Sequence, residues 1–161
     1  MASPYWVRKM LELRGIPFEE LHHPEAYTAQ EVAQREHVSG HRVAKVVVVM
    51  ADGAPVELIL PASRHVSLAR VRELLKAGAV RLATEDEMAR YFTGCEVGAI
   101  PALRQWKNIA VLMDRALKAE GDIVFQAGTH SDAVRLRFRD WYDMVSPQVA
   151  SFSEPGEHAH V

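Results

Sequence analysis

Lys45 stands at the head of four consecutive valines, Val46 to Val49, so its stem leaves a strand whose neighbours favour burial. Such a lysine either snorkels its ammonium out to water, which the pattern alone favours, or holds a cation at a pocket floor. In the second case the ammonium orients an acyl ester or stabilises charge building on its carbonyl oxygen. The segment Gly94-Cys95-Glu96-Val97-Gly98-Ala99-Ile100-Pro101 is a second candidate. Its glycines let backbone approach a ligand closely and Pro101 stiffens the chain, although ordinary connecting loops share that composition. A third is the turn Ala127-Gly128-Thr129-His130-Ser131-Asp132, where His130 can donate, accept or titrate near neutral pH. Most of the eight histidines are expected to be exposed bystanders.

Arg135, Arg137 and Arg139 alternate with Val134, Leu136 and Phe138. On a strand this period puts the arginines on one face and the apolar side chains inward. That face is either solvated and paired with acids or suited to phosphate, with Lys76, Arg81, Arg104 and Lys107 as extensions if the fold gathers them. Cys95 has no sequence-marked activating partner and reads as an inert thiol. His22-His23 and His158-Ala159-His160 lack a second cluster at metal-ligand spacing, so no metal and no other cofactor is expected.

The elements that must position these residues are well signalled. Ser3 and Pro4 open a helix over residues 1–16 that Gly15 ends, and Phe18 to His22 reads as a strand. Thr28-Ala29-Gln30-Glu31 is a capping box, starting a helix to about His37. Val43–Met50 and Val56–Leu60 flank the turn Ala51-Asp52-Gly53, which predicts an antiparallel hairpin. Leu68, Val71, Leu74 and Leu75 predict an amphipathic helix closed by Gly78, and Val80 to Leu82 a short strand. Thr84 to Glu87 is a second capping box, opening a helix to about Phe92. Residues 93–107 read as loop, then Ile109–Met113, Ile123–Ala127 and Val134–Phe138 as strands, with a short helix allowed between the first two. Asp140 to Val145 reads as a last helical turn, and the tail 146–161 as loose.

The fold class is therefore α/β, a single domain over 1–161 with a mixed, largely antiparallel sheet and flanking helices. The length suits one core, and 48% hydrophobic with 25% charged residues is a soluble balance. No apolar run is long enough to span a bilayer, and Met1-Ala2-Ser3-Pro4-Tyr5-Trp6 lacks the pattern of a signal peptide. A single cysteine excludes an intrachain disulfide and fits a reducing cytoplasm. The formal net charge of -2 means that any nucleic-acid partner must be held by a local basic patch. The oligomeric state leaves no trace in the sequence.

Together these pieces resemble the YbaK/EbsC family, the fold of the editing insertion of bacterial prolyl-tRNA synthetase and its free-standing relatives. The resemblance runs from about Leu21 to Val149. It is carried by the order of Tyr27-Thr28-Ala29-Gln30-Glu31-Val32-Ala33, Val43 to Val48, Leu60-Pro61-Ala62, Gly94 to Pro101 and Ala127 to His130. It implies a free-standing aminoacyl-tRNA deacylase, a hydrolase that acts in trans on mischarged tRNA, with tRNA(Pro) carrying alanine or another small amino acid as the expected substrate. Lys45 is then the principal functional side chain. Gly98 holds substrate through its backbone in the same cavity, and Tyr27, Thr28, Ala99, Pro101, Gly128 and His130 complete the substrate site. Arg135, Arg137 and Arg139 are the expected tRNA contacts, and prolyl-tRNA synthetase is a candidate partner. In several members the substrate's own ribose hydroxyl is thought to assist attack, so no protein base is demanded; Lys45 could serve as one only if burial lowered its pKa. Two departures stand out: Ala102 replaces a second proline, and Leu103-Arg104-Gln105-Trp106-Lys107 replaces a glycine-containing stretch. A catalytically silent tRNA- or synthetase-binding module is the alternative, and hydrolysis of a small acyl compound without tRNA a third.

Overall fold

The computed structural model describes residues 4–23, 32–33, 42–117 and 120–156. Ser3, Tyr27, Thr28 and the last five residues lie outside the described residues, as does the expected helix from Thr28 to His37 except Val32 and Ala33, which are helical.

The centre is the hairpin formed by β2 (Ala44–Ala51) and β3 (Ala54–Pro61), antiparallel from Ala44↔Pro61 to Ala51↔Ala54. Its two-residue turn has positive φ at Asp52 (49°) and Gly53 (85°), the primed geometry that matches strand twist. The carboxylate of Asp52 accepts from the backbone N–H groups of Gly78 and Ala79, and these bonds hold its pKa below the usual value. They tie the turn to β5 (Val80–Leu82), which pairs antiparallel with Val49–Ala51. β6 (Ala110–Asp114) lies parallel beside β3, and β9 (Gln148–Ala150) parallel beside β6, completing a mixed sheet in the order β5-β2-β3-β6-β9. A second, antiparallel sheet has the order β1-β8-β7, from β1 (Phe18–His22), β8 (Asp132–Arg137) and β7 (Asp122–Gln126). β4 (Arg64–Val66) pairs with β10 (Ser153–Pro155).

Helices α1 (Tyr5–Leu13), α2 (Leu68–Leu75), α3 (Glu85–Tyr91) and α4 (Phe138–Val145) flank the sheets. In α3 the capping box is complete: Thr84 Oγ1 accepts from Glu87 N–H, and the Glu87 carboxylate accepts from Thr84 N–H. The largest core cluster joins Val7 and Leu11 of α1 to Ile59, Met113, Phe125, Leu136, Phe138 and Trp141. The mixed sheet, its hairpin and the single α/β domain agree with the sequence reading.

Four expectations are corrected. The tail is not loose between Ser146 and Gly156: it forms β9, paired with β6, and β10, and the buried Asp114 carboxylate accepts from Phe152 N–H and Ser153 N–H at 2.8 and 2.9 Å where β10 begins. α2 is closed by Lys76, at φ 54°, and not by Gly78. Residues 115–117, part of the segment where a short helix was allowed, form a turn. The alternation Val134, Leu136, Phe138 stops being a strand at Arg137; Phe138 opens α4, where Trp141 and Val145 continue its buried face at helical spacing.

Candidate functional site

The site forms where β2 loses a neighbour. At its start, Val43 makes a parallel bridge to Val124 of β7, with Val124 N–H donating to Arg42 O. Further along the same edge, Ala83 N–H donates to Val48 O beside β5. Because alternate residues turn their peptide groups to alternate edges, Val46 faces the same edge as Arg42 and Val48. No described strand pairs with it there. The sheet splits between β7 and β5, and burial along β2 falls at Lys45, Val46 and Val47 accordingly.

Lys45 leaves β2 in this split, opposite Leu60 of β3. It is half-buried, has no ion pair with a described residue, and burial lowers its pKa to about 8. The sequence reading allowed Lys45 a base role only if burial lowered its pKa, and otherwise set that role aside. The structure removes that objection to a base role, because the free amine is within reach of physiological pH.

The glycine loop and the histidine turn are one unit. Glu96 N–H donates to Gly128 O at 2.8 Å, Gly128 N–H to Ala99 O at 3.0 Å, and His130 N–H to the Glu96 carboxylate at 2.8 Å. Gly98, at φ 88°, lies so close to the His130 ring that an added β-carbon would sit 3.2 Å from Cε1. Gly128, at φ 96°, has Pro4 against it, and Trp6 Nε1 donates to Gly94 O at 2.7 Å, so the start of α1 braces both segments. Beneath the turn, buried Asp132 receives the Thr129 hydroxyl at 2.5 Å and contacts His22 Nδ1 at 2.5 Å. Pro101 and Ala99 are buried, whereas Gly98 is exposed.

The structure thus joins Gly98, Ala99, Gly128 and His130 by direct contact. Lys45 approaches the split from β2 on the face of Val43 and Val47. The loop packs Ile100 and Cys95 with Val48, Val46 and Phe92 on the other face. Cys95 is not a nucleophile in waiting: burial and the charges of Glu57 and Glu96 push its thiol up to about 12, and Sγ contacts Phe92 O. Among the described residues no group of three His, Cys, Asp or Glu side chains is arranged to hold a metal.

Arg135, Arg137 and Arg139 do not form one row. Arg135 and Arg137 are on β8, with Glu19 at 3.7 Å from the first and Asp140 at 3.6 Å from the second, while Arg139 lies on α4. The departures after Pro101 have structural work. Ala102 is buried with its carbonyl receiving Trp141 Nε1 at 2.6 Å, and Arg104 donates to Val145 O and Ser146 O at the end of α4. Trp106 donates to Thr93 O and meets Phe92 and Trp6 edge to face, closing the loop on itself. Sequence reasoning passed over Asp132, Thr129 and Glu96 as supports, whose sole signal was their position inside the turn and loop, and His22, 110 residues from Asp132, for which there was none.

A model of the aminoacyl-tRNA editing domain matches residues 23–144. A proline--tRNA ligase of Leuconostoc citreum is 25% identical over 141 residues, which is 88% of this chain and 24% of that ligase. One of Oleidesulfovibrio alaskensis is 32% identical over 80 residues, half of this chain and 14% of the ligase. The chain therefore spans a quarter or less of the length of these two relatives. Among solved structures, a candidate trans-editing enzyme for prolyl tRNA synthetase superposes with TM-score 0.80 at 21% identity, covering 92% of this chain and 94% of that one. The hypothetical protein APE2540 does so with TM-score 0.82 at 24% identity, covering 92% and 99%. With the family model matching most of its length, the chain belongs to the aminoacyl-tRNA editing domain family, the YbaK-like group.

Proposed function

We propose that this chain hydrolyses the ester of mischarged aminoacyl-tRNA in trans, acting first on tRNA(Pro) that carries alanine or another small amino acid. The observation that carries the reading is Lys45, a half-buried cation without an acidic partner among the described residues, in the split of the sheet. An uncompensated ammonium in such a place costs stability, and a substrate oxyanion or phosphate is what would compensate it. The loop that carries Gly98 and the turn around His130 pack on the other face of β2, so in this reading they meet the substrate across the split, where a backbone free of a β-carbon lets it come close.

In this reading water attacks the ester carbonyl, the bond to the ribose oxygen breaks, and the ribose hydroxyl departs with a proton. The ester is already activated, so positioning and fixed charge suffice. Lys45 stabilises the negative oxygen or anchors the terminal ribose–phosphate, and Gly98, Ala99, Pro101, Gly128 and His130, with Tyr27 and Thr28, bound the acyl group. The need for such an enzyme follows from pocket physics: a synthetase site built for proline rejects a smaller side chain by only about 1–3 kcal/mol. A second, smaller site corrects that error. Prolyl-tRNA synthetase is the natural source of the substrate, and the cytoplasm its place.

A panel of tRNAs charged with alanine, cysteine, serine, proline and an aromatic amino acid tests the proposal. Release of alanine ahead of the others is expected. Retention of every ester with tRNA still bound would mean a silent binding module. Cleavage of free esters but no charged tRNA would mean a small-molecule esterase.

A further inference from the structure

The corrected position of Arg139 leaves it beside a cavity whose lining includes none of Lys45, Gly98 and His130. This cavity of about 440 Å³ is lined by Met113, Leu117, Phe138, Tyr142 and Val149, with Arg115, Arg139 and Asp143 among its walls. Its size falls within the range of small-ligand sites, and its apolar floor with a few charged groups is their usual make-up. Arg115 and Arg139 are exposed, and neither is in an ion pair with a described residue, so two guanidinium groups face one carboxylate. Tyr142 stacks one face on Phe138, with centroids 5.8 Å apart and planes 25° from parallel, yet remains 37% exposed.

We propose that this cavity is a nucleotide subsite, in which a base stacks on Tyr142 while Arg115 and Arg139 hold the adjoining phosphate. A rigid aromatic face beside unpaired guanidinium groups is the arrangement that binds single-stranded nucleic acid irrespective of sequence. Purely apolar ligands would leave both arginines unused, and a simple anion would leave the aromatic face unused.

The register sets the spacing. Val46, next to Lys45, lies across from Ile59, which lies across from Met113, which lies across from Val149. At about 4.8 Å per strand, the cavity is roughly 10–15 Å from the split. Along the sheet that is three or four nucleotides at about 3.4 Å each, and because Lys45 leaves the face opposite to that of Val46 and Met113, a bound strand needs further nucleotides to round the sheet. The inference rests on the deacylase reading for its partner, a tRNA, but not for its chemistry.

The experiment compares the full chain with Arg115→Ala/Arg139→Ala and Tyr142→Ala. All three are assayed on the preferred charged tRNA, on the matching aminoacyl-adenosine, and for binding of uncharged tRNA across a salt series. The double variant should raise KM for charged tRNA about tenfold with kcat unchanged, and reduce the slope of log affinity against log salt by about 0.7. Tyr142→Ala should weaken tRNA binding about tenfold without changing the slope. Aminoacyl-adenosine, too short to reach the cavity, should be cleaved at the parent rate. Unchanged KM and slope would overturn the subsite, as would equal losses on both substrates or competition by free adenosine monophosphate without any effect of the variants on tRNA. If the parent chain cleaves neither ester but the variants still lose tRNA affinity, the deacylase reading fails and the subsite stands.

Discussion

A β-carbon built on Gly98 would lie 3.2 Å from Cε1 of His130, so any other residue there requires the ring to give by a few tenths of an ångström. Two costs coincide there. At φ 88° any L-residue is strained by roughly 1–3 kcal/mol, and the imidazole must move to admit a methyl group. Gly98→Ala should therefore lower deacylation of the preferred charged tRNA at least tenfold. The positive φ also predicts a fall in Tm of a few degrees. Full activity with a shifted Tm would show that the ring and the loop do not act on substrate together.

Asp132 carries the turn from below. With the residue fully buried, its two oxygens engage the Thr129 hydroxyl and His22 Nδ1. Asp132→Ala leaves that hydroxyl without its acceptor in a dry site, at a cost of about 2–3 kcal/mol. Urea denaturation should show the midpoint falling with the slope unchanged. Thr129→Val should reproduce part of the loss, and a loss under 0.5 kcal/mol for Asp132→Ala would mean that the turn holds itself.

How much of this was legible beforehand divides along a physical line. The hairpin was readable because Asp52-Gly53 and the β-branched runs are local signals, and α3 because Thr84 and Glu87 are three residues apart. The loop and turn were readable as places where backbone could approach a ligand. What was not readable depends on distant partners. The ordered tail depends on β6, which pairs with β9, and on Asp114, more than thirty residues away, which receives the N–H groups of Phe152 and Ser153 at the start of β10. Phe138 fits a strand and a helix equally well, since it is buried in both. The depressed pKa of Lys45 needs the packing of distant elements that desolvates its amine, which no window of sequence contains.

Cys95 should behave as a packing residue. With its thiol pushed up to about 12, almost none is ionised at pH 8, whereas a free cysteine near 8.5 is substantially thiolate. Iodoacetamide should alkylate the native protein at least a hundredfold more slowly than the denatured chain, read by mass spectrometry. Cys95→Ala should keep deacylation within about twofold of the parent. A tenfold loss would put the thiol in the reaction.

The capping box of α3 offers a control away from the site. Thr84→Ala removes the acceptor for Glu87 N–H and should cost about 1 kcal/mol. For a chain of this size that lowers Tm by about 2–4 °C. Deacylation measured well below Tm should not change. A fall in activity here would mean that general loosening, and not site chemistry, explains the other variants.

Lys45 is where function and stability oppose each other. Its pKa is about 8 in the folded chain against 10.5 as the ordinary value, and desolvation is the cause. Below pH 8 the side chain is charged in both the folded and unfolded states, so the folded state carries the whole desolvation penalty. Between 8 and 10.5 the folded chain sheds its proton first and the penalty is relieved; above that window it is gone. Lys45→Met should accordingly raise Tm at pH 7, with the gain fading toward pH 10.5. The same variant should lose at least a hundredfold in deacylation, the scale of removing one preorganised charge from a reacting oxygen. Lys45→Arg should also be impaired, because a planar fork does not replace a compact ammonium. The pH profile then separates the two roles open to the amine. An ammonium that anchors or stabilises charge gives kcat/KM that is flat below pH 8 and falls about tenfold per unit above it. A free amine acting as base gives the reverse, rising to a plateau above 8. The background hydrolysis of the ester by hydroxide must be subtracted at each pH. Near-parent turnover by Lys45→Met would reduce Lys45 to a snorkelling side chain, and a lower Tm at pH 7 would show that its burial is compensated after all.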